Sequence, residues 1–253
     1  MRVFLTGGTG YVGSAVARAL ARVGHVVVAL ARSDEAARWL EAEGHRVLRG
    51  DLADPESLTA GAREADAVVH AASTGDARTG NIDRAAVEAL LGALEGSGKS
   101  FLYTSGTWVH GSTGGRVADE DAPFDPAAPL VAWRPAVERR VRDAAGRGVR
   151  GVVIRPAVVY GRGGGTPAML ARAARTRGVV RYVGDGSQRW STVHVDDLAD
   201  LYVLALDADP GSAFVAAHGP AHAVREIAEA AALPWGARVE PWPLEEARAR
   251  LGA

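Results

Sequence analysis

FLTGGTGYVG, residues 4–13, carries a short apolar run into four glycines within the seven positions 7–13, and good helix formers follow at once. The spacing Gly7-x-x-Gly10-x-x-Gly13 between a first strand and a first helix has a mechanical meaning. It makes a tight turn, lets a backbone approach a pyrophosphate closely, and seats a helix against its strand. A helix beginning there aims its free N–H groups at the phosphates. The stretch therefore predicts a dinucleotide loop made of Gly7, Thr9, Gly10, Tyr11, Val12 and Gly13.

Outward from the loop, β-rich runs at residues 2–6, 25–30, 46–49, 67–70, 100–104 and 149–155 alternate with helical patterns at 11–23, 35–43, 55–64, 82–95 and 131–145. Such alternation predicts an α/β fold, a Rossmann-type doubly wound parallel sheet covered by helices on both faces. Nearly unbroken apolar strands such as VVVAL, residues 26–30, suit a sheet buried on both sides. Beyond Arg155 the rhythm breaks into the glycine-rich loop 161–165, a helix expected at 167–177, and short irregular elements. We expect a dinucleotide-binding domain over 1–155 and a small α/β substrate lobe over 156–253, interleaved with the core.

The chain has 253 residues, 47% of them hydrophobic, and a formal net charge of -1, so no global field draws it to nucleic acid or to an anionic membrane. It contains no cysteine, which excludes disulfides, thiolate catalysis and Cys-based metal sites, and no metal site is expected. No apolar run is long enough to span a bilayer and no leader pattern opens the sequence, so a cytoplasmic protein acting on a small molecule is expected.

Cofactor choice rests on the end of the second strand, where an acid would hold a ribose 2′-hydroxyl and an arginine a 2′-phosphate. Here that strand runs into Leu30-Ala31-Arg32-Ser33. The acid is missing at Ala31 and Arg32 follows, which favours NADP over NAD. Asp34 and Glu35 remain close enough in sequence to serve a ribose, so NAD stays open.

Several further segments carry a resemblance. TGGTGYVG (6–13), GDL (50–52), VVHAAS (68–73), SGTWVHG (105–111), RPAVVYGRG (155–163) and GDGSQRWSTVHVDDLADLYVLAL (184–206) stand in the order found in the extended short-chain dehydrogenase/reductase superfamily, in its epimerase/dehydratase and dihydroflavonol-reductase-like group. The chain resembles that family to about Leu206. The resemblance implies adenine contacts from Asp51 and Leu52, a cofactor wall from Ala71, Ala72 and Ser73, and further contacts from Pro156 and Val158. It also implies a homodimer through the helices near 82–95 and 131–145. Their stripes of Val87, Leu90, Leu91, Leu94, Val137 and Val141 serve equally well to cover the sheet.

The resemblance stops at the catalytic residues. The family uses a Tyr-x-x-x-Lys pair with a Ser or Thr, the lysine lowering the tyrosine's pKa and holding the ribose. In this chain no tyrosine has a lysine four residues on, and Lys99 is the only lysine. Alignment on Glu138 puts Arg134 at the lysine and Leu130 at the tyrosine, while alignment on Val109-x-Gly111 puts Gly106 at the hydroxyl residue. Ser105 and Thr107 flank Gly106, and Arg134 keeps a charge able to hold a ribose or phosphate, although it does not titrate near neutrality.

For the missing proton donor, Tyr160 and His110 both follow strand ends; each is read first as structural, and Tyr160 ranks first as a donor because its loop is glycine-rich and open. His194 is expected to serve as a structural partner of Asp196 or Asp197, and Tyr103 as core. The loop Asp119-Glu120-Asp121, followed by Pro123, Pro126 and Pro129, is expected to be solvated. The arginine clamp of sugar-nucleotide enzymes falls at Trp190, one place after Arg189, which weakens a nucleotide-sugar substrate. Three readings follow in order: an NADP-dependent oxidoreductase on a small carbonyl or alcohol with a non-standard proton source, a catalytically silent NADP-binding redox sensor, and a nucleotide-sugar epimerase or dehydratase.

Overall fold

The computed structural model describes residues 1–124 and 127–251; Pro126, part of the expected solvated loop, lies outside them. In chain order the first elements are β1 (Arg2–Thr6), α1 (Tyr11–Arg22), β2 (Val26–Ala31), α2 (Asp34–Ala42), β3 (Arg46–Arg49), α3 (Pro55–Glu64), β4 (Ala67–His70), α4 (Thr79–Leu94), β5 (Ser100–Thr104), α5 (Arg134–Asp143) and β6 (Arg150–Pro156). There follow β7 (Val158–Gly161), α6 (Gly165–Arg177), β8 (Val179–Val183), β9 (Arg189–His194), α7 (Val195–Ala205), β10 (Ala213–Ala216), β11 (His218–Ala223), α8 (Val224–Ala232), β12 (Arg238–Trp242) and α9 (Leu244–Leu251). The chain divides into two compact units, Met1–Arg155 with Asp196–Val215, and Pro156–Val195 with Ala216–Ala253.

The first unit is built on a seven-stranded sheet in the order β10-β6-β5-β4-β1-β2-β3. The strands from β6 through β3 in that order pair in parallel, the doubly wound arrangement expected from the alternation. Register puts Thr6 beside His70 and His70 beside Tyr103, so β1, β4 and β5 end in one row. Val3, Phe4 and Leu5 of β1, all of β4, and Phe101, Leu102 and Tyr103 of β5 are buried, as a sheet covered on both faces demands.

Local chemistry sets the helix ends. The Ser33 hydroxyl accepts from the Ala36 amide at 3.1 Å to start α2, and Asp54 accepts from the Glu56 amide at 3.0 Å to start α3, with Pro55 in the first turn. α5 begins at Arg134 and not at 131, because Pro135 has no N–H and is tolerated only in a first turn. α4 begins three residues earlier than the apolar periodicity indicates, its first turn being polar Thr79-Gly80-Asn81. The stripes on α4 and α5 are buried within the unit's own core beside Phe4, Phe101 and Val153, where they cover the sheet.

The second unit holds the three-stranded sheet β11-β9-β7 and the parallel pair β12-β8. Ala174, Val180, Ala228 and Ala232 form its small core under α6 and α8. Among the described residues no helix is long and apolar enough to cross a membrane.

Candidate active site

Of the residues offered by the sequence as cofactor contacts, those from Gly7 to Ser73 follow strands of the first unit, while Pro156 and Val158 lie in the second. Gly7 follows β1 with φ +79°, and a Cβ there would stand 2.6 Å from the Ala71 carbonyl oxygen and 2.7 Å from the Ala72 amide. The glycine loop is thus pressed onto the segment after β4. A Cβ at Gly13 would stand 2.1 Å from the Gly7 carbonyl oxygen, which keeps the first turn of α1 tight against the loop. Gly10 differs: its amide closes the turn onto the Gly7 carbonyl at 2.9 Å, and a Cβ there would meet only that oxygen, at 3.1 Å. Gly10 is exposed, and it is the N-cap of α1 without a side-chain hydrogen bond.

The first turn of α1 carries no acid. The first amides of a helix have no carbonyl one turn back to bind, so the positive end of α1 suits an anion. This cradle fits the pyrophosphate of a nicotinamide dinucleotide: backbone donors at the start of a helix whose first turn carries no acid.

At the end of β2, Ala31 is buried and Arg32 is exposed, its Nε 4.0 Å from Asp51 Oδ2. That pair is long and solvent-facing, so it holds Arg32 only weakly. Asp51 also accepts from the Ala53 amide at 2.8 Å, which shapes the turn after β3. Asp34 is engaged by Arg49 at 2.7 Å and Ser33 is engaged as the helix cap.

At the end of β5 the aligned catalytic positions behave as their side chains dictate. Gly106 is extended and has no side chain, and Thr107 opens a short 3-10 turn. Leu130 stands 76% exposed in the turn Pro129–Val131, where it offers no proton. Ser105 is buried and its Oγ has no hydrogen-bond partner. Arg134 donates from Nη1 to the Thr104 carbonyl at 2.8 Å, and its Nε is buried without a partner.

Neither tyrosine near this strand end can replace the lost acid. Burial pushes the Tyr103 phenol far up, with the Asp83 charge adding to the effect, and Tyr103 is held donating to Asp83 Oδ2 at 2.8 Å. Burial likewise raises Tyr202, whose hydroxyl meets Thr104 Oγ1 at 2.6 Å.

His110 is buried beside Phe124, at 5.9 Å between ring centroids, with neither ring nitrogen in a hydrogen bond of good geometry. Burial first and Arg155 second hold its pKa below the ordinary value, which favours neutral imidazole, and the ring lines a small cavity with Thr113, Arg116 and Pro123. Tyr160, Pro156 and Val158 belong to the second unit, where the Tyr160 ring stands edge-on to His194 at 5.3 Å. Arg189 donates from Nη2 to the Ala221 carbonyl within the β9-β11 region.

Two buried networks escaped the sequence reading. Thr6 Oγ1 meets His70 Nδ1 at 2.7 Å, His70 Nε2 meets Asp83 Oδ1 at 3.2 Å, and Tyr103 closes the chain on the other Asp83 oxygen. With Asp83 accepting from both sides, the network assigns the His70 proton to Nε2 and leaves Nδ1 to accept from Thr6. The available signal was a row of polar residues ending three apolar strands. In the second network, Arg155 donates from Nε at 2.9 Å and from Nη2 at 2.8 Å to Glu138 Oε2, both side chains fully buried. Arg155 also donates to the Glu120 carbonyl at 2.9 Å, and Glu120 Oε1 accepts from the Val215 amide at 2.7 Å. The middle residue of the expected solvated acidic run is therefore a structural tie.

The NAD dependent epimerase/dehydratase family matches residues 3–217. The 2-alkyl-3-oxoalkanoate reductase of Stenotrophomonas maltophilia is 32% identical over 84% of this chain and 68% of its own length. An uncharacterized protein of Saccharomyces cerevisiae is 38% identical over 82% of this chain and 71% of its own. Among solved structures, the UDP-glucose 4-epimerase of Thermus thermophilus in complex with NAD superposes with a TM-score of 0.82 at 26% identity, over 96% of this chain and 86% of that one. A glycine cradle at the end of the first of several parallel strands, together with a match running through both units, makes this chain a member of the NAD dependent epimerase/dehydratase family.

Proposed function

We propose that the chain is an NADP-dependent oxidoreductase acting on a small carbonyl or alcohol. The observation that carries the reading is the uncapped, acid-free start of α1 behind a glycine loop, with Arg32 in place of an acid after β2. Gly7, Thr9, Gly10, Tyr11, Val12 and Gly13 would hold the pyrophosphate. Arg32 and Ser33 would face the 2′-phosphate, Asp51 and Leu52 the adenine, and Ala71, Ala72 and Ser73 the wall beside it.

A nicotinamide, when bound, supplies or accepts hydride. The chain's task is then to orient the substrate oxygen and admit a proton. Ser105 and Arg134 are unsatisfied donors at the end of β5, and they would anchor the substrate there. Leu130 and the two locked tyrosines leave water as the proton source. Relatives named as reductases support reduction, while the missing tyrosine weighs against the epimerase chemistry of the sugar-nucleotide relatives. The same loss favours the second reading, a cofactor-binding sensor without turnover.

Titration with NADPH and NADH, followed by nicotinamide fluorescence, tests the proposal. NADPH is expected to bind more tightly and to be oxidised by some member of a panel of small aldehydes and ketones. Arg32→Ala is expected to weaken NADPH about tenfold or more, the worth of one charge-assisted contact, and NADH far less. An unchanged preference would reject the role of Arg32. Tight binding with no turnover on the panel would move the weight to the sensor.

A further inference from the structure

Arg134 occupies a position that is electrostatically wrong unless something negative joins it. It is the first residue of α5, where the aligned peptide dipoles already place positive charge, and the first turn of α5 contains no acid. Among the described residues it forms no ion pair. The carboxylate one turn along, Glu138, is held by both Nε and Nη2 of Arg155 through Oε2.

The guanidinium is nonetheless fixed in place. Its Nη1 is hydrogen-bonded to the Thr104 carbonyl and it lies 4.9 Å over the Trp133 ring. That ring is wedged against α4, since a Cβ on Gly80 would stand 2.9 Å from it. A half-buried cation locked by a carbonyl and an aromatic face is prepared for a partner that the chain itself does not provide.

Next to the carbonyl that anchors Arg134 comes Ser105, buried at 7% exposure with its hydroxyl unpartnered. Arg134 Nε is the second buried donor without an acceptor at this strand end. We infer that Arg134 and Ser105 form a carboxylate subsite, and that the substrates of this enzyme are small oxo acids or their hydroxy counterparts rather than neutral ketones. The inference rests on the oxidoreductase reading above and gives it a substrate class.

Two donors match the two oxygens of a carboxylate, and only a full negative charge offsets a guanidinium at a helix N-terminus; a neutral carbonyl satisfies one donor and leaves the charge alone. The cofactor's phosphates are not the anion concerned. Their cradle follows β1, two strands from β5 across β4, roughly 10 Å away at the usual strand spacing.

Trp133 makes the test independent of turnover, because its ring reports on the guanidinium beside it. We would titrate the protein with hexanoate and with hexanamide, equal in length and neither reducible at the carbonyl, following tryptophan fluorescence with and without NADPH. The acid is expected to bind at least tenfold more tightly than the amide. Arg134→Gln should abolish that preference, Arg134→Lys should retain most of it, and Ser105→Ala should reduce it, with thermal melts confirming that each variant is folded. Equal binding of acid and amide, no binding of either, or a preference surviving in Arg134→Gln would overturn the subsite.

The oxidoreductase reading is decided separately, by NADPH oxidation with matched 3-oxo acids and their methyl esters. If selective acid binding persists while no carbonyl compound is reduced, the reductase reading fails and the subsite stands. If the esters are reduced as efficiently as the acids, the reading stands and the substrate class fails.

Discussion

Replacing Gly10 by alanine isolates the pyrophosphate role of the loop from its packing role. Gly10 has φ -76° and ψ 168°, which alanine adopts without strain, and its added methyl meets only the Gly7 carbonyl oxygen at 3.1 Å. Alanine is a poorer N-cap than glycine, so the expected loss of stability is at most about 1 kcal/mol, or roughly 2–4 °C in Tm. The methyl points into otherwise open space at the mouth of the helix, where a phosphate must approach within hydrogen-bond distance. Displacing it from one backbone N–H forfeits a charge-assisted bond of about 1.5–3 kcal/mol, a rise in Kd of roughly 10- to 150-fold.

Gly13→Ala is the contrast. Its methyl would overlap the Gly7 oxygen at 2.1 Å, and that oxygen belongs to backbone, not to a flexible side chain that could swing away. Overpacking of this kind costs about 1–3 kcal/mol or more, so this variant should lose both melting temperature and binding. Thermal melts paired with NADPH fluorescence titrations read both quantities on the same samples. If Gly10→Ala binds NADPH as tightly as the parent chain, the assignment of this loop to the pyrophosphate is wrong.

Two further outcomes follow from the buried networks. Glu138→Gln leaves the fully buried Arg155 guanidinium without its carboxylate and should destabilise the fold by about 3–5 kcal/mol in urea titration; a loss under about 1 kcal/mol would contradict the pairing. The pKa values of His110 and His45 are held below their ordinary 6.5, each mainly by burial. Protons therefore bind the unfolded chain better than the folded one, so stability is complete above about pH 6.5 and falls as the pH drops below it, by up to about 1.4 kcal/mol per pH unit for each histidine. His110→Phe should flatten that slope between pH 6.5 and 5, and an unchanged slope would remove His110 from the account.

Periodicity and punctuation made the sheet legible. Apolar runs of four to seven residues, each followed by a helical pattern, have few ways to bury themselves other than as parallel strands covered on both faces. The glycine loop was legible for the same kind of reason, since glycines at 7, 10 and 13 answer to local backbone geometry. The helix ends were less so. Pro135 marks a first turn by its own chemistry, but the polar start of α4 at Thr79-Gly80-Asn81 carries no apolar signal.

What the sequence determined by itself is whatever depends on neighbours along the chain: the order of strands and helices, the glycine turn after β1, the arginine after β2, and the absence of any tyrosine with a lysine four residues on. Tertiary structure alone decided which side chains meet. His70 and Asp83 are 13 residues apart, and Arg155 is 17 residues from Glu138. Only the register of three strands reveals Thr6, His70 and Tyr103 as one row. The same holds for Ser105 and Arg134, each an ordinary polar residue in sequence. Folding buries their donors unpaired at one strand end, and the cost of an unpaired buried donor is what marks that place as a site for an anion.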